Sequence, residues 1–252
     1  MEITSHVPGT FCFPELNTSD MDGAKRFYSE LLGWTVFEIP SSEGSYALAR
    51  VDGRDVAGIH RSSRGEPSWL CYVAVDSSDR VSARATELGG THLVAPFDVP
   101  GVGRMAMIQD PAEAVFGLWE ARGMIGARLA DQPGAPCWYE LVTHDLPLAS
   151  RFYTGLFAWK MAEKTIPTVG PYTVARIGEP PVAGLMSIRK EWGEWAARWQ
   201  VYFSVGDCAC SVKDAVSLGG RVITGPNLVP ETGTFAVLAD PLEAVFVAFE
   251  LP

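Results

Sequence analysis

Cys137-Trp138-Tyr139-Glu140-Leu141, followed by Asp145, Arg151-Phe152-Tyr153, Leu156 and Trp159, decides the fold because the chain contains it twice. Cys12, Glu15-Leu16, Asp20, Arg26-Phe27-Tyr28, Leu31 and Trp34 repeat it at a constant offset of 125 residues. Each copy reads as a strand, a capped helix and a second strand. Phe11, Phe13, Glu15 and Asn17 alternate with Cys12, Pro14, Leu16 and Thr18, the period of two that a strand gives. Asp20 stands where a helix N-cap belongs, its carboxylate able to accept from free first-turn amides. Ala24, Phe27, Tyr28 and Leu31 follow at helical spacing on one face, and Gly33 can take the left-handed turn that ends the helix. The second copy uses Asp145 as cap, Pro147 in the first turn, and Ala149, Phe152, Tyr153 and Leu156 as the apolar face. A repeat of this length is a duplicated domain rather than a solenoid.

Outward from these copies the same plan recurs. Trp34–Pro40, Ser45–Val51 and Val56–His60 read as short strands, with Gly44 and Asp52-Gly53 at the turns, and the polar Arg61–Pro67 is a connector. A second unit follows: strand Trp69–Val75, capping cluster Asp76–Asp79, helix Val81–Leu88 ended by Gly89-Gly90, then strands His92–Phe97, Gly103–Gln109 and Val115–Glu120. Tyr46, Arg50 and Val56-Ala57-Gly58 reappear as Tyr172, Arg176 and Val182-Ala183-Gly184. Trp69, Tyr72 and Gly89-Gly90 reappear as Trp199, Tyr202 and Gly219-Gly220, and Asp110-Pro111 as Asp240-Pro241. The chain is thus α+β, four tandem βαβββ modules in two domains, residues 1–121 and 135–252, joined by a linker at 122–134. Met124, Ile125 and Leu129 suggest that this linker packs on a domain.

Of the 252 residues 47% are hydrophobic and 20% charged, enough for a core in each half. A net charge of −10 argues against nucleic acid as a partner, since phosphate binding draws on clustered Lys and Arg. The five cysteines form no CxxC pair, and an odd number does not suit a disulfide framework. Cys12 and Cys137 read as small, buried, helix-facing residues; Cys208-x-Cys210 has no matching His or Cys cluster nearby in sequence. With no signal segment and no apolar run of about 20 residues, the expectation is a soluble, cytoplasmic protein without a membrane partner.

The modular repeat, the Asp-then-Phe-Tyr helix start and the Asp-Pro hairpin before each last strand resemble the vicinal oxygen chelate superfamily. That superfamily includes glyoxalase I, extradiol dioxygenases, fosfomycin resistance enzymes and bleomycin resistance proteins. The likeness covers nearly the whole chain and is closest to tandem glyoxalase-like or hydroxylase-like proteins. It implies two glyoxalase/bleomycin-resistance-like domains whose curled mixed sheets surround clefts, with a divalent metal held by His, Gln or Glu at three or four cleft positions. Carried over singly, those positions hold Phe13 or Trp138, Leu70 or Gln200, Gly117 or Val247, and, near the close of each first module, His60 or Met186. A metal needs several convergent N or O ligands. The expectation is therefore no metal and no cofactor, which speaks against glyoxalase and dioxygenase chemistry.

What remains is aromatic. Strand alternation turns Phe11, Phe13 and Trp119 toward the first cleft, and Trp138 and Phe249 toward the second, with Trp69 and Trp199 contributing. Such rings can stack on a planar ligand, or simply fill the cleft as core. Glu15 and Glu140 lie two residues beyond the lost ligand position, on the same strand face. Each is a candidate acid or base, a ligand-orienting group, or half of an ion pair with an internal arginine, for which Arg50, Arg104 and Arg176 are available. His60, Arg104 and Gln200 complete the candidate ligand-binding set. The leading expectation is metal-independent binding of a small apolar or aromatic metabolite, for sequestration or resistance, by a monomer or homodimer. The alternative is an enzyme: a cofactor-independent lyase, isomerase or cyclase with a Glu general base, or a metal-dependent glyoxalase, dioxygenase or hydroxylase.

Overall fold

The computed structural model of the chain describes residues 1–41, 44–62, 66–167 and 169–252. The middle of the expected Arg61–Pro67 connector, residues 63–65, lies outside the described residues. The first half runs β1 (Phe11–Thr18), α1 (Met21–Leu32), β2 (Thr35–Ser41), β3 (Gly44–Val51), β4 (Arg54–Arg61), β5 (Ser68–Ala74), α2 (Ser78–Glu87), β6 (Thr91–Val99), β7 (Gly103–Gln109) and β8 (Val115–Ala121). The second repeats it: β9 (Pro136–Thr143), α3 (Leu146–Phe157), β10 (Lys160–Ile166), β11 (Gly170–Arg176), β12 (Pro181–Ser187), β13 (Arg198–Val205), α4 (Cys208–Ser217), β14 (Arg221–Val229), β15 (Gly233–Ala239) and β16 (Val245–Glu250). Among the described residues no helix is long and apolar enough to cross a membrane.

Local chemistry sets the helix ends. Asp20 accepts from the Gly23 amide and Asp145 from the Leu148 amide, both at 2.9 Å, and each satisfies a first-turn donor that the helix leaves free. Gly33 closes α1 at φ 71°; Ala158 closes α3 in the same left-handed region at φ 57°. The cap of α2 is Ser77, and the helix begins three residues before the expected Val81.

Each half is one eight-stranded mixed sheet, ordered β2-β3-β4-β1-β5-β8-β7-β6 and β10-β11-β12-β9-β13-β16-β15-β14. Within a module the first and last strands pair in parallel, as β1 with β4, and the two modules join antiparallel through β1 and β5. The helix-bearing faces of both sheets share one hydrophobic core. There Phe11 stacks on Tyr139 with centroids 4.4 Å apart, and Trp69 meets Phe203 edge-on at 5.1 Å. The opposite faces form separate apolar clusters, one on the first sheet and two on the second, and these are the cleft faces.

A bulge corrects the expected alternation at the start of β1. Phe11 pairs with Val73 but Phe13 with Tyr72, so two steps on β1 meet one on β5, and Cys12 is the extra residue. Phe11 therefore enters the shared core, while Cys12 joins Phe13 on the cleft side. Strand β9 repeats the irregularity, Pro136 pairing with Phe203 and Trp138 with Tyr202, and Cys137 also turns to the cleft. The two cysteines are not helix-facing.

Candidate functional site

The centre of each cleft is a carboxyl group on the strand shared by both modules. Glu15 lies between Gly58 on β4 and Leu70 on β5; Glu140 lies between Gly184 on β12 and Gln200 on β13. The glycines are there because a phenol covers them. A Cβ at Gly58 would sit 2.2 Å from Tyr46 Oη, and one at Gly184 would sit 1.7 Å from Tyr172 Oη. A second phenol arrives from the other module: Tyr72, whose ring occupies the space a Cβ at Gly117 would take, donates to Glu15 Oε1 at 3.3 Å. Glu15 thus receives Tyr46 and Tyr72, and Glu140 receives Tyr172 and Tyr202. Trp138 Nε1 in turn donates to Tyr172 Oη at 3.0 Å, extending the second network.

Burial raises both carboxyls above their ordinary value. The nearby His60 charge and the two phenols offset this for Glu15, and the two phenols alone do so for Glu140. All four phenols are pushed well above the usual tyrosine range, first by burial and next by the facing carboxylate. These are groups poised to hold protons and to donate hydrogen bonds. Among the described residues no arginine forms an ion pair with either carboxyl. Arg50 pairs with Asp55 at 2.6 Å, Arg104 with Asp79 at 2.7 Å and Asp98 at 3.0 Å, and Arg176 donates to the Glu179 carbonyl. Among the described residues a tyrosine cage thus stands where the ion-pair alternative would put an internal arginine, and Arg104 is held by the surface carboxylates of Asp79 and Asp98.

The two clefts differ in what fills them. In the first, Phe13, Leu48, Leu70 and Tyr72 are buried together, and Met105, Met107 and Trp119 pack on them. The linker closes this cleft: Trp119 Nε1 donates to Met124 O and Ala127 N to Cys12 O, both at 2.8 Å. Its polar margin is His60, whose Nδ1 lies 3.1 Å from Asn17 Oδ1. In the second cleft Trp138 and Phe249 are only half-buried. A strap containing a single 3-10 turn, Lys190–Trp192, lays Trp195 against both apolar clusters. His144 Nε2 lies 2.8 Å from Trp195 O, and the Arg198 guanidinium lies 4.1 Å above the Trp195 ring. Surface recesses of about 250 Å³ and 360 Å³ occur elsewhere and include neither Glu15, Glu140 nor their tyrosines.

The structure thus brings Phe13, Glu15, His60 and Trp119 to one cleft and Trp138, Glu140, Gln200 and Phe249 to the other. Phe11, Trp69 and Trp199 lie in the shared core, on the far side of the sheets from the clefts. Tryptophans 69 and 199 each precede the residue facing the cleft carboxylate, so strand parity turns them away. Sequence reasoning missed the four tyrosines, Trp195 and Arg198 as site residues. Tyr46/Tyr172 and Tyr72/Tyr202 were visible as repeated positions; their convergence on Glu15 and Glu140 requires strands distant in sequence.

The family's divalent metal does not fit this donor set. Phe13, Leu70 and Gly117 offer no ligand in the first cleft, and Trp138, Val247 and Met186 offer no oxygen or nitrogen lone pair suited to one in the second. Among the described residues no group of three or more His, Cys, Asp or Glu could hold a metal ion.

Residues 10–118 match the family described as Glyoxalase/Bleomycin resistance protein/Dioxygenase superfamily. The chain is 35% identical over 245 residues to "Putative glyoxylase CFP32" of Mycobacterium bovis, spanning 94% of this chain and 93% of that protein. It is 34% identical over 266 residues to "Anthracycline biosynthesis protein DnrV" of Streptomyces peucetius, spanning 99% and 96%. Among solved structures it is similar to the Mn(II)-bound glyoxalase from Novosphingobium aromaticivorans, with TM-score 0.67, 16% identity and 96% and 82% of the two chains covered. It is also similar to the 2,3-dioxygenase LapB from Pseudomonas sp. KL28, with TM-score 0.69, 11% identity and 97% and 93% covered. At those identities the two structures speak for the fold alone.

Proposed function

Since the chain belongs to the glyoxalase/bleomycin resistance protein/dioxygenase superfamily, we propose that it binds a small, planar, largely aromatic molecule in its C-terminal cleft, without a metal. The observation that carries this reading is the Trp138–Tyr172–Glu140–Tyr202 network beneath half-buried Trp138, Phe249 and Trp195. Flat rings supply stacking area, and the caged carboxyl supplies orientation, as donor when protonated and as acceptor when not. The first cleft, filled by its own side chains and closed by the linker, is the structural partner of the pair. Binding begins with withdrawal of Trp195, which occupies the space between the two apolar clusters.

A relative named for anthracycline biosynthesis makes anthracyclines, which are flat fused-ring molecules, the first probes. Titration of an anthracycline into the metal-stripped protein, followed by tryptophan fluorescence and calorimetry, is expected to show saturable binding. Trp138→Ala is expected to weaken it at least about tenfold. Unchanged affinity in Trp138→Ala, or binding that appears only after divalent metal is added back, would overturn the reading.

The raised carboxyl of Glu140 favours one second reading, an enzyme that moves a proton with Glu140 as acid or base. It requires that Glu140→Gln abolish turnover of a bound probe while leaving its affinity in place. A probe recovered unaltered from the wild-type protein after prolonged incubation excludes it for that probe.

A further inference from the structure

Strand β13 carries two polar groups that the tyrosine cage does not use. Its alternation places Trp199, Val201 and Phe203 in the shared core, which leaves Arg198, Gln200 and Tyr202 on the cleft face. Arg198 Nε and Gln200 Nε2 are both buried and have no hydrogen-bond partner. They are neighbours on one face, about 7 Å apart along the strand. Gln200 is 3% exposed and stands directly across from Glu140. Its amide nitrogen makes no hydrogen bond to the carboxyl opposite, which the phenols of Tyr172 and Tyr202 face.

Arg198 is the stronger anomaly. Burial lowers its pKa to about 10, and no facing carboxylate compensates. The Trp195 ring, 4.1 Å from its guanidinium, packs against the group without neutralising it. A half-buried cation whose buried Nε–H is unused is a candidate binding element for an anion, whose charge offsets the cost of its desolvation. In the first half the matching positions hold Ser68, opposite Asn17, and Leu70, opposite Glu15. The duplication has thus been broken at two adjacent cleft-facing positions of one strand, and at both the new side chain is a hydrogen-bond donor.

We infer that the C-terminal cleft selects planar ligands that carry a carboxylate, with Arg198 and Gln200 as its two donors. The inference rests on the reading of that cleft as the binding site. Arg198 supplies charge and a directed N–H, Gln200 supplies a neutral donor between that charge and Glu140, and the rings of Trp138 and Phe249 receive the flat body of the ligand. On β9 the residue opposite Arg198 is Val142, so Arg198 stands one cross-strand pair away from Glu140 and nearest to an apolar neighbour.

The test uses two probes of one shape, anthraquinone-2-carboxylate and anthraquinone-2-carboxamide, titrated into the full chain by calorimetry. Wild type is expected to prefer the carboxylate by at least about tenfold. Arg198→Met is expected to abolish that preference, with the larger loss of affinity falling on the carboxylate. Arg198→Lys is expected to keep part of the preference, and Gln200→Leu, which installs the first cleft's residue, to reduce it. Matching thermal melts of the four proteins, and retained carboxamide binding, show that the variants are folded. Equal binding of both probes by wild type, weakened by Trp138→Ala, would overturn the inference and leave the binding cleft standing. A preference that survives Arg198→Met would overturn it as well. Failure of wild type to bind either probe would overturn the cleft reading and the inference with it.

Discussion

The phenol of Tyr28 donates to Asp240 Oδ2 at 3.1 Å, joining a helix of the first half to the hairpin before the last strand of the second. Tyr153 returns the contact to Asp110 Oδ2 at 2.8 Å. Each phenol also accepts from a buried indole, Trp69 Nε1 at 3.1 Å and Trp199 Nε1 at 2.7 Å. The second oxygen of each aspartate takes two backbone amides of its own turn, those of Leu242 and Ala244 or of Ala112 and Ala114. The repeated Tyr and the repeated Asp-Pro are therefore two ends of one device that fastens the halves to each other. This explains why Trp69 and Trp199, two of the four tryptophans offered for the clefts, are committed elsewhere.

Removing either phenol strands an indole N–H and a buried carboxylate oxygen at once. Tyr28→Phe and Tyr153→Phe are each expected to destabilise the protein by about 1–3 kcal/mol, since the lost partners remain buried. Urea unfolding is expected to stay a single transition with an unchanged slope, because the halves share one core. The two losses are expected to add, as the bridges have no partner in common. A Tyr28→Phe midpoint equal to wild type, or a second transition in wild type itself, would contradict this.

The Glu140 carboxyl gives a pH signature whose sign is fixed. Its folded-state pKa lies above the ordinary 4.5 because burial disfavours the charged form. The folded state therefore binds the proton more tightly than the unfolded state. The stabilisation this provides is complete below the unfolded value and is lost as pH rises through the folded value. Wild type should lose stability relative to Glu140→Gln as pH rises above about 4.5, until the carboxyl is ionised in the folded state as well. Chemical denaturation of both proteins across that range measures the difference. A flat or opposite difference would mean that the phenols outweigh burial.

How much of this was legible follows from the range of each interaction. The capped helices, the four modules and the turn glycines rest on neighbours within a few residues, so Asp20, Asp145 and Gly33 act as the pattern required. The cleft carboxyls were legible too, because two-residue alternation places Glu15 with Phe13 on one face of β1. Phe11 was not, because a bulge at Cys12 breaks that alternation and nothing in the local sequence marks it. The tyrosine cages were not either. Tyr46 reaches Glu15 from β3 across Gly58, a geometry that exists only once β3, β4 and β1 are paired side by side.

That same geometry makes Gly184 a sensitive position. A methyl group there would lie 1.7 Å from Tyr172 Oη and 3.0 Å from Trp138 Nε1, so Gly184→Ala must drive the phenol off Glu140. The expected cost is about 1–3 kcal/mol from overpacking, together with weaker binding of any ligand that uses Trp138. Gly178→Ala is a poor control because its backbone lies at φ 66°; Gly206→Ala, where a Cβ meets nothing within 4 Å, is a clean one. Gly184→Ala with wild-type stability and binding would show that Tyr172 does not order the cleft.

Trp195 tests whether the strap holds the second cleft shut. The ring bridges two apolar clusters and carries the Arg198 guanidinium on its face, so truncation removes packing and frees the cation together. For a half-buried ring, Trp195→Ala is expected to lower stability by about 1–3 kcal/mol, less than the full cost of deleting a buried tryptophan. Its effect on binding should divide by rate. Association should become faster, because the ring no longer has to leave before a ligand enters, while dissociation also accelerates because the departing ring would have covered the bound molecule. Stopped-flow fluorescence with an anthracycline separates the two constants. An unchanged association rate with faster dissociation would make Trp195 a wall of the site rather than its door, and slower association would mean that the ring helps to assemble the cleft before the ligand arrives.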